Sequence, residues 1–131
     1  MKRLLLDTHT FLWFILNNPQ LSAHSKELIE NAETLFLSIA SIWEMAIKVS
    51  AGKLPLPKPW DQFILQQILR NKITLLPIEY SHTVTVSSLP FHHRDPFDRM
   101  IIAQSLVEQV PIVSVDGVFD DYGVQRLWQP Q

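Results

Sequence analysis

Apolar residues in this chain come in two patterns. Short, mostly apolar runs lie at residues 3–6 (RLLL), 34–38 (TLFLS), 73–78 (ITLLPI) and 112–115 (IVSV), the first without alternation. Such runs read as strands buried on both faces, the habit of a parallel sheet. Between them lie longer segments with helical spacing. Residues 8–16 predict a helix ending near Asn17-Asn18-Pro19, and Ser22 is placed to cap a second over 22–33. Residues 38–53 predict a helix stopped by Gly52, with Ile39, Ile42, Trp43, Ala46 and Ile47 on one face. Further helices are predicted at 60–72 and 96–109, the second opened by Pro96. Residues 79–89 (EYSHTVTVSSL) are ambiguous: their β-branched residues favour a strand, their place before a loop favours a short helix. Residues 124–128 (VQRLW) are a candidate fifth strand at the edge.

Strands and helices alternate, which predicts an α/β fold: a three-layer α/β/α sandwich with a central parallel sheet. There is no internal repeat, low-complexity segment or linker. The proline-rich loop at 55–59 is the one candidate hinge, and both sides of it are needed for one core, so residues 1–131 read as a single domain. Trp13, Trp43 and Trp60 fall on apolar helix faces and are expected in the core, while Trp128 is a candidate interface residue.

Composition narrows the function. The 131 residues are 47% hydrophobic and 18% charged, which excludes a disordered chain, and the net charge of -2 gives no sign of a broad nucleic-acid patch. Absence of cysteine excludes disulfides and thiolate metal sites and is compatible with a cytoplasmic location. Lys2-Arg3 followed by leucines mimics the start of a signal peptide, but Asp7 and His9 interrupt the run. No stretch reaches the roughly 18 apolar residues of a membrane span.

The chemistry lies in the acids. Ligands of parallel α/β sheets bind at the carboxyl ends of the strands. Asp7 follows the first strand directly, and Asp116 follows IVSV. Glu44 lies on the helix after the second strand, and Asp95 and Asp98 sit where a loop enters the 96–109 helix. Clustered like charges need compensating cations. An all-oxygen set suits magnesium or manganese, the usual apparatus for hydrolysing phosphate esters. No P-loop or GxGxxG competes with this reading.

Each acid also has a plain structural role open to it. Asp7 is either a helix cap or a cation ligand. Asp95-Pro96-Phe97-Asp98 reads as an N-cap, a proline at the first helical position and a first-turn acid, with Asp98 kept ionised by the helix dipole. Glu44 stands four residues before Lys48, the spacing of an ion pair. Asp116-Gly117 can simply start a turn. Adjacent His92 and His93 have no companion at zinc-ligand spacing and are expected to orient the loop or touch substrate phosphate. Ser38 and Ser41 lack a triad order.

Taken together, LLLDTHTFLW, SIASIWEMAIK, HHRDPFDRMIIAQS and IVSVDGVFDDYGV resemble a PIN domain, specifically the VapC-like toxin ribonucleases of bacterial type II toxin–antitoxin pairs. The resemblance runs over nearly the whole chain. It implies a magnesium-dependent endoribonuclease, with manganese as a possible substitute, whose acidic quartet is Asp7, Glu44, Asp98 and Asp116. Asp95 and Asp120 lie beside the third and fourth acids, and Thr8 is placed to hydrogen-bond a metal ligand. The resemblance further implies a cognate antitoxin whose tail enters the acidic groove, an RNA substrate, and a homodimer. Lys48, Lys53, Lys58, Arg94 and Arg99 are candidates for a basic rim, with Arg94, Arg99 and Lys48 as phosphate contacts. The competing readings are another metal-dependent phosphodiesterase or phosphatase, and a non-catalytic PIN-like RNA-binding module.

Overall fold

The structure, a computed structural model, describes residues 2–129. Its elements in chain order are β1 (Arg3–Leu6), α1 (Thr8–Ile15), α2 (Ala23–Glu30), β2 (Thr34–Ser38), α3 (Ile39–Ser50), α4 (Trp60–Arg70), β3 (Ile73–Leu76), α5 (Tyr80–Ser87), α6 (Pro96–Glu108) and β4 (Ile112–Val113). A 3-10 helix (Gly117–Tyr122) and β5 (Arg126–Leu127) follow. All strand pairs are parallel and the order across the sheet is β3-β2-β1-β4-β5.

This order fixes where a site can form. The chain winds outward from β1 through β2 to β3, then returns to lay β4 and β5 on the other side of β1. The direction therefore reverses at β1, and the helices diverge there to leave a crevice at its carboxyl end. The apolar run RLLL feeds both layers. Leu4 and Leu6 pack with Phe11, Leu37, Met45, Ile64 and Ile68 on one face, and Leu5 packs with Ile101, Ile102, Ile112 and Phe119 on the other. That two-sided burial is the three-layer sandwich expected of an unalternated strand.

The alternatives left open at 79–89 resolve in favour of the helix, and other expectations are corrected. The 79–89 segment is helical: His82 Nδ1 accepts from the Glu79 N–H at 2.9 Å, and its Nε2 reaches Glu108 of α6 at 2.8 Å. Start-of-helix hydrogen bonding and docking on α6 override the β-branched composition. β4 is two residues long because Ser114 leaves the strand to accept the Asp116 N–H, 3.0 Å away.

The predicted face of α3 meets the core only in part: Ile42 packs against it and Ala46 is partly buried. Ile39, Trp43 and Ile47 are exposed, Trp43 by 59%, while Ala40, Ser41, Glu44 and Met45 are buried. Met45 fills the core, and the Glu44 carboxylate tolerates burial because a hydroxyl and an ammonium meet it. Trp128, expected at an interface, is buried edge-on against Trp13, and its carbonyl accepts from the Ser22 and Ser25 hydroxyls. Trp13 and Trp60 pack partly buried against the core.

Candidate active site and metal centre

Asp7 leaves β1 in extended conformation and caps α1, its Oδ1 accepting from the Thr10 N–H at 2.9 Å. It is 5% exposed, and burial raises its pKa against hydrogen bonds from Ser114 and Thr10 that pull the other way. The cap thus holds the carboxylate at the end of β1, beside Ser114 at the end of β4. Thr10 anchors the turn by donating to the Val113 carbonyl at 2.9 Å.

Glu44 reaches the same crevice from α3 and is also 5% exposed. Thr8 Oγ1 donates to its Oε1 at 2.7 Å, and that hydroxyl lies 2.9 Å from Ser41 Oγ. Lys48 Nζ is 2.9 Å from its Oε2, the pair expected from the spacing. Thr8 thus sits where the sequence placed it, on a carboxylate of the cluster. Lys48 has its ammonium on Glu44 rather than free at a rim.

Asp95 caps α6, its Oδ1 accepting from the N–H groups of Phe97 at 2.8 Å and Asp98 at 3.2 Å. Asp98 projects from the first turn with its pKa raised to about 8, by burial first and then by the charges of Asp95, Asp7, Glu44 and Asp116. The helix dipole was expected to keep it ionised; burial among carboxylates outweighs the dipole. Asp7, Glu44 and Asp116, from three other parts of the chain, thus lie near enough for their charges to act on Asp98. Asp116 caps the 3-10 helix through Oδ1, 3.0 Å from the Val118 N–H, and turns Oδ2 to the crevice.

The remaining candidates divide. Arg94 is exposed in the loop before α6. Arg99, expected to contact phosphate, is buried: its guanidinium donates to the carbonyls of Val86, Leu89, Pro90 and His93 and stacks over Phe91. One carbonyl at the end of α5 and three of the loop that follows claim its fork of donors. Asp120 faces outward in a two-point pair with Arg126, 3.0 Å at each contact, which lowers its pKa and occupies both oxygens. It does not join the cluster.

His93 is a member that the spacing did not reveal. Its Nε2 lies 3.1 Å from Asp98 Oδ2 and 3.0 Å from Asp116 Oδ2, and one donor atom from each of the three residues falls within 4.8 Å of the others. Ser114 is the second such residue, joining Asp7 to Asp116 from the end of β4. A histidine two positions before a capping Asp-Pro, and a serine two before the fourth acid, were the only available signals.

A family model for the PIN domain matches residues 4–125. The chain belongs to the PIN domain family. A curated relative of this PIN domain, Ribonuclease VapC16 of Mycobacterium tuberculosis, is 30% identical over 71 residues, 50% of either chain. The match thus spans about half the length of that relative. Two solved structures share the fold. VapBC2 from Rickettsia felis, bound to a DNA fragment from their promoter, superposes with a TM-score of 0.72 at 16% identity, covering 97% of this chain and 99% of that one. DNA-bound VapBC from Salmonella typhimurium gives 0.71 at 15% identity, covering 97% and 98%.

The donor set fits a hard divalent cation. Asp7, Glu44, Asp98 and Asp116 offer carboxylate oxygens only, the ligand type such a cation takes; neighbouring acids add to burial in raising the pKa of Asp98, whereas burial is what raises that of Asp7.

Proposed function

We propose that this PIN domain is a magnesium-dependent endoribonuclease and the toxin of a toxin–antitoxin pair, with Asp7, Glu44, Asp98 and Asp116 holding the metal. The observation that supports the reading is the meeting of Asp98 and Asp116 at His93, with the charges of Asp7 and Glu44 also acting on Asp98 beside the strand-order switch. Similarity to a ribonuclease and to VapBC complexes supports the substrate class and the partner. Magnesium, or manganese in its place, would supply a Lewis acid for the phosphate and a more acidic water. Thr8 holds one Glu44 oxygen, Asp95 and Asp7 fix the turns that carry their neighbours, and Arg94 is the exposed cation best placed for phosphate. Lys48 screens Glu44 until the metal does.

The partner reading is an antitoxin with an Arg or Lys that reaches the carboxylates in place of the metal. Trp13 and Phe14 border a cavity of about 500 Å³ with Pro19, Leu21 and Lys26, the proposed docking groove. The exposed stripe of Ile39, Trp43 and Ile47 supports pairing of two copies. Among the described residues no helix is long and apolar enough to cross a membrane, and a cytoplasmic location is part of the proposal.

The test sets single-stranded RNA, duplex DNA and a phosphomonoester side by side with magnesium, manganese or EDTA. Metal-dependent cleavage of RNA alone supports the reading. Preference for DNA or the monoester selects the alternative hydrolase, and no turnover of any substrate selects the non-catalytic module.

A further inference from the structure

We propose that His93 is a positioning residue: a hydrogen-bond donor, not a metal ligand, that sets the spacing of Asp98 and Asp116 for the cation. The inference rests on the metal reading above. Its Nδ1 accepts from the Asp95 N–H at 3.2 Å, so the ring carries its proton on Nε2. A histidine that ligates metal through Nε2 donates its other N–H to an acceptor. Here that nitrogen faces a donor, which disfavours ligation and leaves Nε2–H shared between Asp98 Oδ2 and Asp116 Oδ2.

The ring is held from several sides. The His93 N–H donates to Tyr122 Oη at 2.6 Å, and its carbonyl accepts from Arg99 Nη1 at 3.3 Å. Tyr122 and Arg99 also share the Pro90 carbonyl, each at 2.8 Å, and the imidazole lies against the Phe119 ring, centroids 5.8 Å apart. The result is a clip, built on α6 and the 3-10 helix, that presents one N–H at a fixed point. Asp98 comes from the first turn of α6 and Asp116 from the start of the 3-10 helix, and among the described residues His93 alone hydrogen-bonds both carboxylates. Such outer partners of ligands control metal affinity as strongly as many ligands do.

The experiment measures Mn2+ affinity by the EPR signal of free Mn2+, with kcat and KM on single-stranded RNA and melting in EDTA. His93→Ala is expected to weaken Mn2+ binding by about 10–100-fold and to lower kcat more than it raises KM. His93→Gln, which returns an amide N–H near the Nε2 position, is expected to recover most of that loss. Tyr122→Phe, which loosens the clip, is expected to show a smaller loss in the same direction. Asp98→Asn serves as the reference for the metal reading: if the wild type binds Mn2+ no better than Asp98→Asn, that reading fails by itself. If the wild type binds and Asp98→Asn does not, wild-type affinity and kcat in His93→Ala overturn the positioning role. Equal defects in the Ala and Gln variants overturn the donor role. Should His93→Ala not fold, a tenfold or greater loss of Mn2+ affinity in a folded His93→Gln overturns the proposal, and affinity within threefold of wild type supports it.

Discussion

Replacing Asp98 by asparagine should stabilise the metal-free protein, and by more at higher pH. Burial and the neighbouring acids push the carboxyl of Asp98 up to about 8 in the folded chain, against an ordinary 3.8. An acid whose folded pKa is raised binds more protons folded than unfolded, so stability is fully present below the unfolded pKa and falls as pH rises towards the folded one. The loss begins near pH 4, continues to about pH 8 and then levels off. At about 1.4 kcal/mol per pH unit, the fall between pH 5 and pH 8 is on the order of 3 kcal/mol. Asparagine has nearly the same shape, keeps the first-turn N–H to Asp95 and carries no charge. The raised pKa of Asp7 works in the same direction in both proteins, and much of it cancels in the difference. Urea melts in EDTA at pH 5, 6.5 and 8 read the effect. The advantage of Asp98→Asn over the wild type should grow with pH and shrink again when saturating magnesium compensates the wild-type charge. A difference that stays flat from pH 5 to 8 would refute the crowding argument.

Further outcomes follow from the same geometry. Magnesium and manganese should raise the melting temperature of the wild type by binding the native state, whereas calcium should bind but support cleavage poorly because its coordination is looser; an indifferent melt counts against the acidic site. Asp95→Ala should cost about 1 kcal/mol in thermal or urea melts as a lost N-cap, and Asp95→Asn should restore most of it. Asp120→Ala should leave the RNA cleavage rate unchanged, since that side chain is tied to Arg126 on the surface; a large loss would return it to the site. A small protein encoded beside this one should co-purify with it and inhibit it, and isolation of a lone uninhibited enzyme from the native operon would count against the toxin reading.

The parts of this architecture that were legible in the sequence are those set by local pattern. RLLL had to be buried on both faces, and the order of strands and helices dictated a parallel sheet. Asp95 was readable as a cap because Pro96 marks the first helical position. Placement that depends on neighbours was not legible. The α3 periodicity correctly grouped Ile39, Trp43 and Ile47, but nothing local says which face of that helix meets the core. The Glu44–Lys48 pair was legible from its spacing, but Thr8 meets Glu44 only once α1 and α3 are adjacent. Arg99 looked like a surface cation beside an acid until the carbonyls of the preceding loop were seen to need a donor. His93 gained its role from a contact with Asp116, 23 residues away. Spacing along the chain carries no trace of that contact.

The central claim is that the carboxylates meeting at the end of β1 hold a cation that cuts RNA. Its most direct test is single-turnover cleavage of a single-stranded RNA by the wild type and Asp7→Asn across a magnesium titration. Asparagine caps α1 about as well as aspartate, so the variant should melt like a folded protein while its cleavage collapses at every magnesium concentration. Cleavage by Asp7→Asn at near the wild-type rate, with the same magnesium dependence, would contradict the account.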